Sequence, residues 1–216
     1  MKVKSVIVLG NARSGTSMTA GMLSILGVEM HESKKVGKHP EQNPKGAFEN
    51  VNFASITGNM HKDMTKGMPP RKIREKYDSR LKDLIEIHER PMWGFKSAVT
   101  HHFLPMILPK LKNPHIVVVF RSLLPNAQSW MIHMKDVYGK KVGLPAALEN
   151  MSKSQVALVR EVNAASGPKF FTTYENIRAN SWKEAQRMAG FLKVDPEPKK
   201  QEILDFIMPK YTTLKS

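Results

Sequence analysis

Two kinds of segment alternate along the chain. Short apolar runs rich in β-branched or aromatic residues occur at 3–9, 92–99, 115–121 and 169–174. Each is short for a helix and reads as a strand; HIVVVFR (115–121) is the clearest buried one. Between these runs, apolar positions fall three and four apart. Met18, Met22, Leu23, Ile25 and Leu26 make one helix, closed by Gly27. Ile73, Tyr77, Leu81, Leu84 and Ile85 make another with a charged back, opening after Pro69-Pro70. Helical patterns also run from about 123 to 138 and from 144 to 165. Another passes through Trp182, Ala185, Met188, Ala189, Phe191 and Leu192, and a last one covers 201–208. Residues 31–52 have no clear period and are rich in Gly, Pro and Lys, so they read as a long loop.

Strands that alternate with helices predict an α/β fold: a central parallel sheet flanked by helices on both faces. No internal repeat or linker-like break is visible, so residues 1–216 are expected to form a single domain.

Composition narrows the chemistry. There are 34 Lys and Arg against 19 Asp and Glu, for a net charge of +15. Such a field favours anionic partners without choosing among them. Cysteine is absent, which excludes disulfides, thiolate metal sites and a cysteine nucleophile. The N-terminal apolar run is too short for a leader and leads into a glycine-containing loop, so it reads as the first strand. No run approaches the ~18 apolar residues of a membrane span. A cytoplasmic protein is the expectation.

The segment GNARSGTS (10–17) joins a strand to a helix. Backbone N–H groups of such a loop, with the helix N-terminus, make a site for phosphate oxygens. Gly10 and Gly15 permit the turn and a close approach of backbone to ligand, and the Thr16 and Ser17 hydroxyls can donate. The two glycines have the spacing of a nucleoside-triphosphate loop, yet Thr16 stands where that loop carries lysine. Arg13 lies within the loop instead. The alternative is a helix start whose glycines serve turn geometry alone.

A second strand–turn–helix is VVVFRSLLPNAQSW (117–130). Where a metal-dependent phosphotransferase often closes this strand on an aspartate, this chain has Arg121. At the carboxyl end of a parallel strand, an arginine faces the crevice where α/β sheets bind ligands, and its fork matches a phosphate. Ser129, eight residues on, can return to the same phosphate. Two separated cationic subsites without a metal-binding carboxylate fit 3′-phosphoadenosine 5′-phosphosulfate, with the 5′-phosphosulfate on the first motif and the 3′-phosphate on the second.

With these residues in view, the chain resembles the sulfotransferase family. Arg13-Ser14-Gly15-Thr16 is similar to its 5′ loop, and Arg121 with Ser129 to its 3′ motif. The Asn-Pro that usually follows the arginine is replaced by Ser122-Leu123. NPKGAFEN (43–50) is similar to a segment of compact bacterial-type members, and TYENI (173–177) to the family's Tyr-Glu-Asp segment. The resemblance implies a P-loop-like three-layer fold. It also implies metal-independent, in-line transfer of a sulfuryl group from 3′-phosphoadenosine 5′-phosphosulfate to a hydroxyl or amine, with adenosine 3′,5′-bisphosphate leaving. Arg13, helped by Ser14, Gly15, Thr16 and Ser17, is the expected stabiliser of charge on the leaving oxygen. Arg121 and Ser129 are expected on the 3′-phosphate, and Tyr174 near the adenine.

Glu49 is the candidate general base, against a reading as a carboxylate at a helix start; His31, His39, His101 and His102 are the alternatives. Lys45 and Lys96 are candidates for the sulfonate or the acceptor. Trp93 and Trp130 read as core. The acceptor is open among carbohydrates, lipid head groups, small alcohols and peptides, its pocket placed in loops 28–65 and 134–150.

Two rivals share parts of this pattern. A nucleotide kinase shares the loop but needs magnesium and usually the lysine. A non-enzymatic binder of nucleic acid or another polyanion would explain the charge, but no zinc spacing, RNA-recognition aromatic pair or arginine-rich tail is present. Nucleic acid is therefore not the expected partner.

Overall fold

The computed structural model describes residues 3–30 and 46–207. Four strands form one sheet: β1 (Lys4–Leu9), β2 (Met92–Lys96), β3 (Pro114–Phe120) and β4 (Lys169–Thr173). Their order is β2-β1-β3-β4 and every pair is parallel. The two central strands are buried on both faces, which is why their sequences are continuously apolar rather than alternating. Edge strand β4 alternates, with Phe170 buried and Phe171 exposed.

Alternate residues of each strand feed separate cores. Ile7, Leu9, Trp93, Phe95, Ile116 and Val118 point to one face. There they meet Phe53 and Met60 of α2 (Val51–Thr65), Ile73, Tyr77, Leu81 and Ile85 of α3 (Pro70–His88), and Leu158 and Val162 of α6 (Leu144–Ala164). The short α4 (Leu104–Ile107) closes this face. Val6, Val8, Val117 and Val119 point to the other face, against α1 (Thr16–Ile25), α7 (Tyr174–Ala179), α8 (Ser181–Leu192) and α9 (Lys200–Ile207). The result is the parallel sheet between two helical layers that strand–helix alternation predicts, in the P-loop-like arrangement that the resemblance implies.

Helix α5 (Leu123–Tyr138) packs against α6 through a small cluster of Ala127, Ala147 and Met151, flanked by Trp130 and Met131. Trp93 is fully buried; Trp130 is half-buried.

Three segments differ from their sequence reading. Residues 46–52 do begin as a loop, but Val51 already opens α2, so the expected acceptor loop 28–65 contains a helix. Asn50 caps it, accepting from the N–H groups of Asn52 (3.0 Å) and Phe53 (3.2 Å). Its buried positions, Phe53, Ile56, Thr57 and Met60, have helical spacing, diluted by Ser55, Gly58 and Asn59. The strand expected at 92–99 stops at Lys96; a turn and the 3-10 segment Thr100–Phe103 follow. Residues 139–143 connect α5 and α6, so most of the expected 134–150 loop is helix. His31, His39, Lys45 and the first part of the 43–50 segment lie outside the described residues.

The strand order creates the crevice. From β1 the chain goes to β2 on one side, then returns past β1 to β3 on the other. The segments leaving the carboxyl ends of β1 and β3 diverge, α1 to one face and α5 toward the other. Ligands of open parallel sheets bind at such switch points, and both sequence motifs sit there.

Candidate functional site

The loop after β1 is shaped by close packing. A Cβ on Gly10 would lie 2.6 Å from the Val119 carbonyl of β3 and 2.5 Å from Ser14 Oγ. At Gly15 the backbone is left-handed (φ +97), and a Cβ would lie 2.7 Å from the Tyr174 ring. Only glycine fits either position. Ser14 N–H donates to the Asn11 carbonyl (3.1 Å), closing the turn. Arg13 itself has φ +66.

Helix α1 starts immediately after, with no side-chain cap and no acidic residue in its first turn. A helix start with no side-chain cap and no acidic residue of its own suits an anion.

Arg121 stands just past the end of β3. Its Nη1 donates to the Arg13 carbonyl (3.0 Å), and its guanidinium lies 4.5 Å from the centre of the Tyr174 ring. Among the described residues its buried Nε has no hydrogen-bond partner, and the same is true of Ser14 Oγ. Two buried donors without partners among the described residues cost stability, and they belong to the two segments that the Arg121–Arg13 bond joins. The Ser122 N–H donates to Glu175 Oε1 (3.0 Å), bracing the turn after Arg121 against α7.

The structure brings Arg13, Ser129, Arg121 and Tyr174 together, with one change of partner. Ser129 Oγ accepts from Arg13 Nε (3.3 Å), so the serine stands between the two motifs rather than with Arg121 alone. Burial first, and the neighbouring Arg121 second, push the Arg13 guanidinium below its ordinary range; Tyr174 partly offsets this. Two crowded guanidinium groups favour an anion between them.

A second constellation lies on the β2 side. Lys96 is 6% exposed at its side chain, and its Nζ donates to Glu49 Oε1 (2.7 Å) and to Ser17 Oγ (3.3 Å). The loop has no lysine of its own, yet an ammonium reaches it from the neighbouring strand, where Lys96 pairs in register with Val8. Glu49 precedes the Asn50 cap, and its carboxylate turns to Lys96. Thr16 is nearly buried, in the first turn of α1.

The histidines are placed differently. His101 is buried, and burial, then His102 and His61, push its imidazole down to about 3, so it is neutral at pH 7. His102 lines a cavity of about 350 Å³ with Met64, Ile73, Phe103 and Met106, and is neutral-favouring for the same first reason. Neither makes a hydrogen bond to Lys96 or Glu49, so Glu49 is the acid–base candidate that the structure joins to the loop.

Sequence reading passed over two residues here, Asn11 and Asn126. Both are buried and both hydrogen-bond around the loop. The available signal was an amide beside Ala127, the two fully buried positions of α5.

Among the described residues no helix is long and apolar enough to cross a membrane. No protein-family model matches the chain, and no curated protein matches it in sequence. Solved structures do. The sulfotransferase domain from the curacin biosynthetic pathway aligns with a TM-score of 0.62 at 13% identity, over 96% of this chain and 79% of that one. Mouse sulfotransferase SULT7A1, complexed with PAP, aligns with a TM-score of 0.56 at 14% identity, over 94% of this chain and 63% of that one. This chain thus spans somewhat under two thirds of the mouse protein's length. Shikimate kinase from Bacteroides thetaiotaomicron aligns with a TM-score of 0.51 at 11% identity, over 90% of this chain and all of that one. The fold is of the sulfotransferase type, within a P-loop-like α/β architecture that a kinase shares.

Proposed function

We propose that the chain is a sulfotransferase that moves a sulfuryl group from 3′-phosphoadenosine 5′-phosphosulfate to an acceptor hydroxyl or amine. The observation that carries this reading is the meeting of both arginine motifs over Tyr174, with the Lys96–Glu49 pair at the start of α1. That neighbours of this fold are solved with PAP supports the same nucleotide class.

In this reading the loop N–H groups, Ser14 Oγ and Arg13 hold the 5′-phosphosulfate, and Arg121 holds the 3′-phosphate. Ser129 orients Arg13. Tyr174 packs beneath Gly15 and Arg121 and offers its remaining ring surface to the adenine. Transfer breaks the bond between sulfur and the bridging oxygen, and that oxygen gains charge. Arg13 and the first N–H groups of α1 stabilise it electrostatically, each such donor contributing on the order of a few kcal/mol. Lys96 is placed to bind a sulfuryl oxygen beside Ser17. Glu49 accepts the acceptor's proton, and Lys96 keeps its carboxylate oriented. The donor is read as bound without a metal.

A kinase-like reading has two observations in its favour: the likeness to shikimate kinase, and the Lys96 ammonium near the place of the missing loop lysine. Calorimetry with adenosine 3′,5′-bisphosphate and chelator, for wild type and Arg121→Ala, separates the readings. Binding in the low-micromolar range without metal, lost in the variant, supports the sulfotransferase. No binding, with magnesium-dependent binding of adenosine triphosphate, supports the kinase.

A further inference from the structure

The loop that carries Arg13 is held from outside, residue by residue. Asn11 Nδ2 donates to the Met151 carbonyl of α6 (3.0 Å), and Asn11 Oδ1 accepts from Ser154 Oγ of the same helix (3.0 Å). Asn126 Nδ2, on α5, donates to the Ala12 carbonyl (2.8 Å). Arg121 takes the Arg13 carbonyl. Asn11 is 4% exposed and Asn126 is 1% exposed, so neither amide exchanges these bonds for water at little cost.

This arrangement has a geometric consequence. Three successive residues turn polar groups toward the α5–α6 hairpin or Arg121, and the Ser14 N–H closes the turn on the Asn11 carbonyl (3.1 Å). Arg13 has the left-handed φ that a non-glycine residue adopts only where its surroundings hold it there.

We infer that Asn11 and Asn126 are positioning residues, through which the α5–α6 hairpin holds the loop in its anion-binding conformation before any ligand arrives. This rests on the reading of the loop as the 5′-phosphosulfate site. Such preorganisation raises affinity by removing the ordering cost from the binding step. Arg121 is carried by the end of β3 and meets the loop through its Nη1 bond to the Arg13 carbonyl, so the 3′ end of the nucleotide is expected to depend on the hairpin less than the 5′ end.

The test compares two ligands by calorimetry, adenosine 3′,5′-bisphosphate and adenosine 3′-monophosphate, for wild type, Asn126→Ala and Asn11→Ala. The expected result is a loss of about tenfold or more in bisphosphate affinity, with the monophosphate nearly unchanged. Amide hydrogen exchange at residues 11–17 is measured on the same proteins without ligand and is expected to quicken in the variants. Equal weakening of both ligands, or loop exchange as slow as in wild type, overturns the inference. If a variant loses its cooperative thermal transition, Ser154→Ala tests the same clamp at an exchangeable partner, with the same expected direction. Wild type that binds neither ligand overturns the nucleotide reading instead; hydrogen exchange then still decides whether the clamp holds the loop.

Discussion

Lys96 and Glu49 form an ion pair 2.7 Å long that is closed to solvent on the lysine side and about one-third exposed on the glutamate side. The same ammonium reaches the Ser17 hydroxyl. The pair therefore links the loop after β1 to the segment leading into α2, and its two members carry different expectations.

Replacing Lys96 by Met removes the ammonium proposed to bind the transferred group. Transfer is expected to fall by about 10²–10³ in kcat, as for other preorganised donors. Adenosine 3′,5′-bisphosphate affinity should change little, because the sulfonate is absent from that ligand. The stability cost should fall below the roughly 3–5 kcal/mol of breaking a fully buried pair, because water still reaches Glu49. Steady-state rates and urea unfolding check both parts.

Glu49→Gln keeps size and a hydrogen bond to Lys96 but removes the carboxylate proposed as the base. It is expected to lower kcat for a hydroxyl acceptor by about 10²–10⁴ and to leave bisphosphate binding intact. A variant as fast as wild type assigns the proton to another group.

Gly15→Ala combines a left-handed backbone with a 2.7 Å approach to the Tyr174 ring. Either the loop or the ring must move, and Arg121 rests on that ring. Bisphosphate affinity is expected to fall by at least tenfold while the far-ultraviolet circular dichroism is unchanged. Substituting Gly58, whose Cβ meets nothing within 4 Å, serves as the control and should leave affinity unchanged.

The buried histidines make stability depend on pH in a fixed direction. His101 titrates at about 3 in the fold and near 6.5 when unfolded. The unfolded chain therefore binds more protons between these values. Stability is full above about pH 6.5 and falls as pH drops toward 3, by up to about 1.4 kcal/mol per pH unit from this group. Burial lowers His61, His102 and His115 too, and they add in the same direction. Urea midpoints at pH 7.5 and 5 should show the loss, and His101→Phe should flatten it. An unchanged slope in that variant assigns the effect elsewhere.

The layered fold was legible in the sequence because each strand and helix writes its environment into its own residues. The apolar runs of β1 and β3 follow from burial on two faces, and the spacing of Ile73, Tyr77, Leu81 and Ile85 from burial on one. The glycines at 10 and 15 and the arginines at 13 and 121 were legible for a related reason: loop shape and charge are local properties. Helix α2 was missed because Gly58 and Asn59 weaken its local signal, while packing against Trp93 and Phe95 stabilises it regardless.

Tertiary structure alone decided the partners. Lys96 meets Ser17 across 79 positions, Arg13 meets Ser129 across 116, and Asn11 meets Met151 across 140. No periodicity spans such distances. These contacts exist because a parallel sheet that reverses its strand order beside β1 gathers the carboxyl ends of its strands at one edge. The residue types that could bind an anionic nucleotide were therefore set by the sequence, and which of them touch was set by the topology.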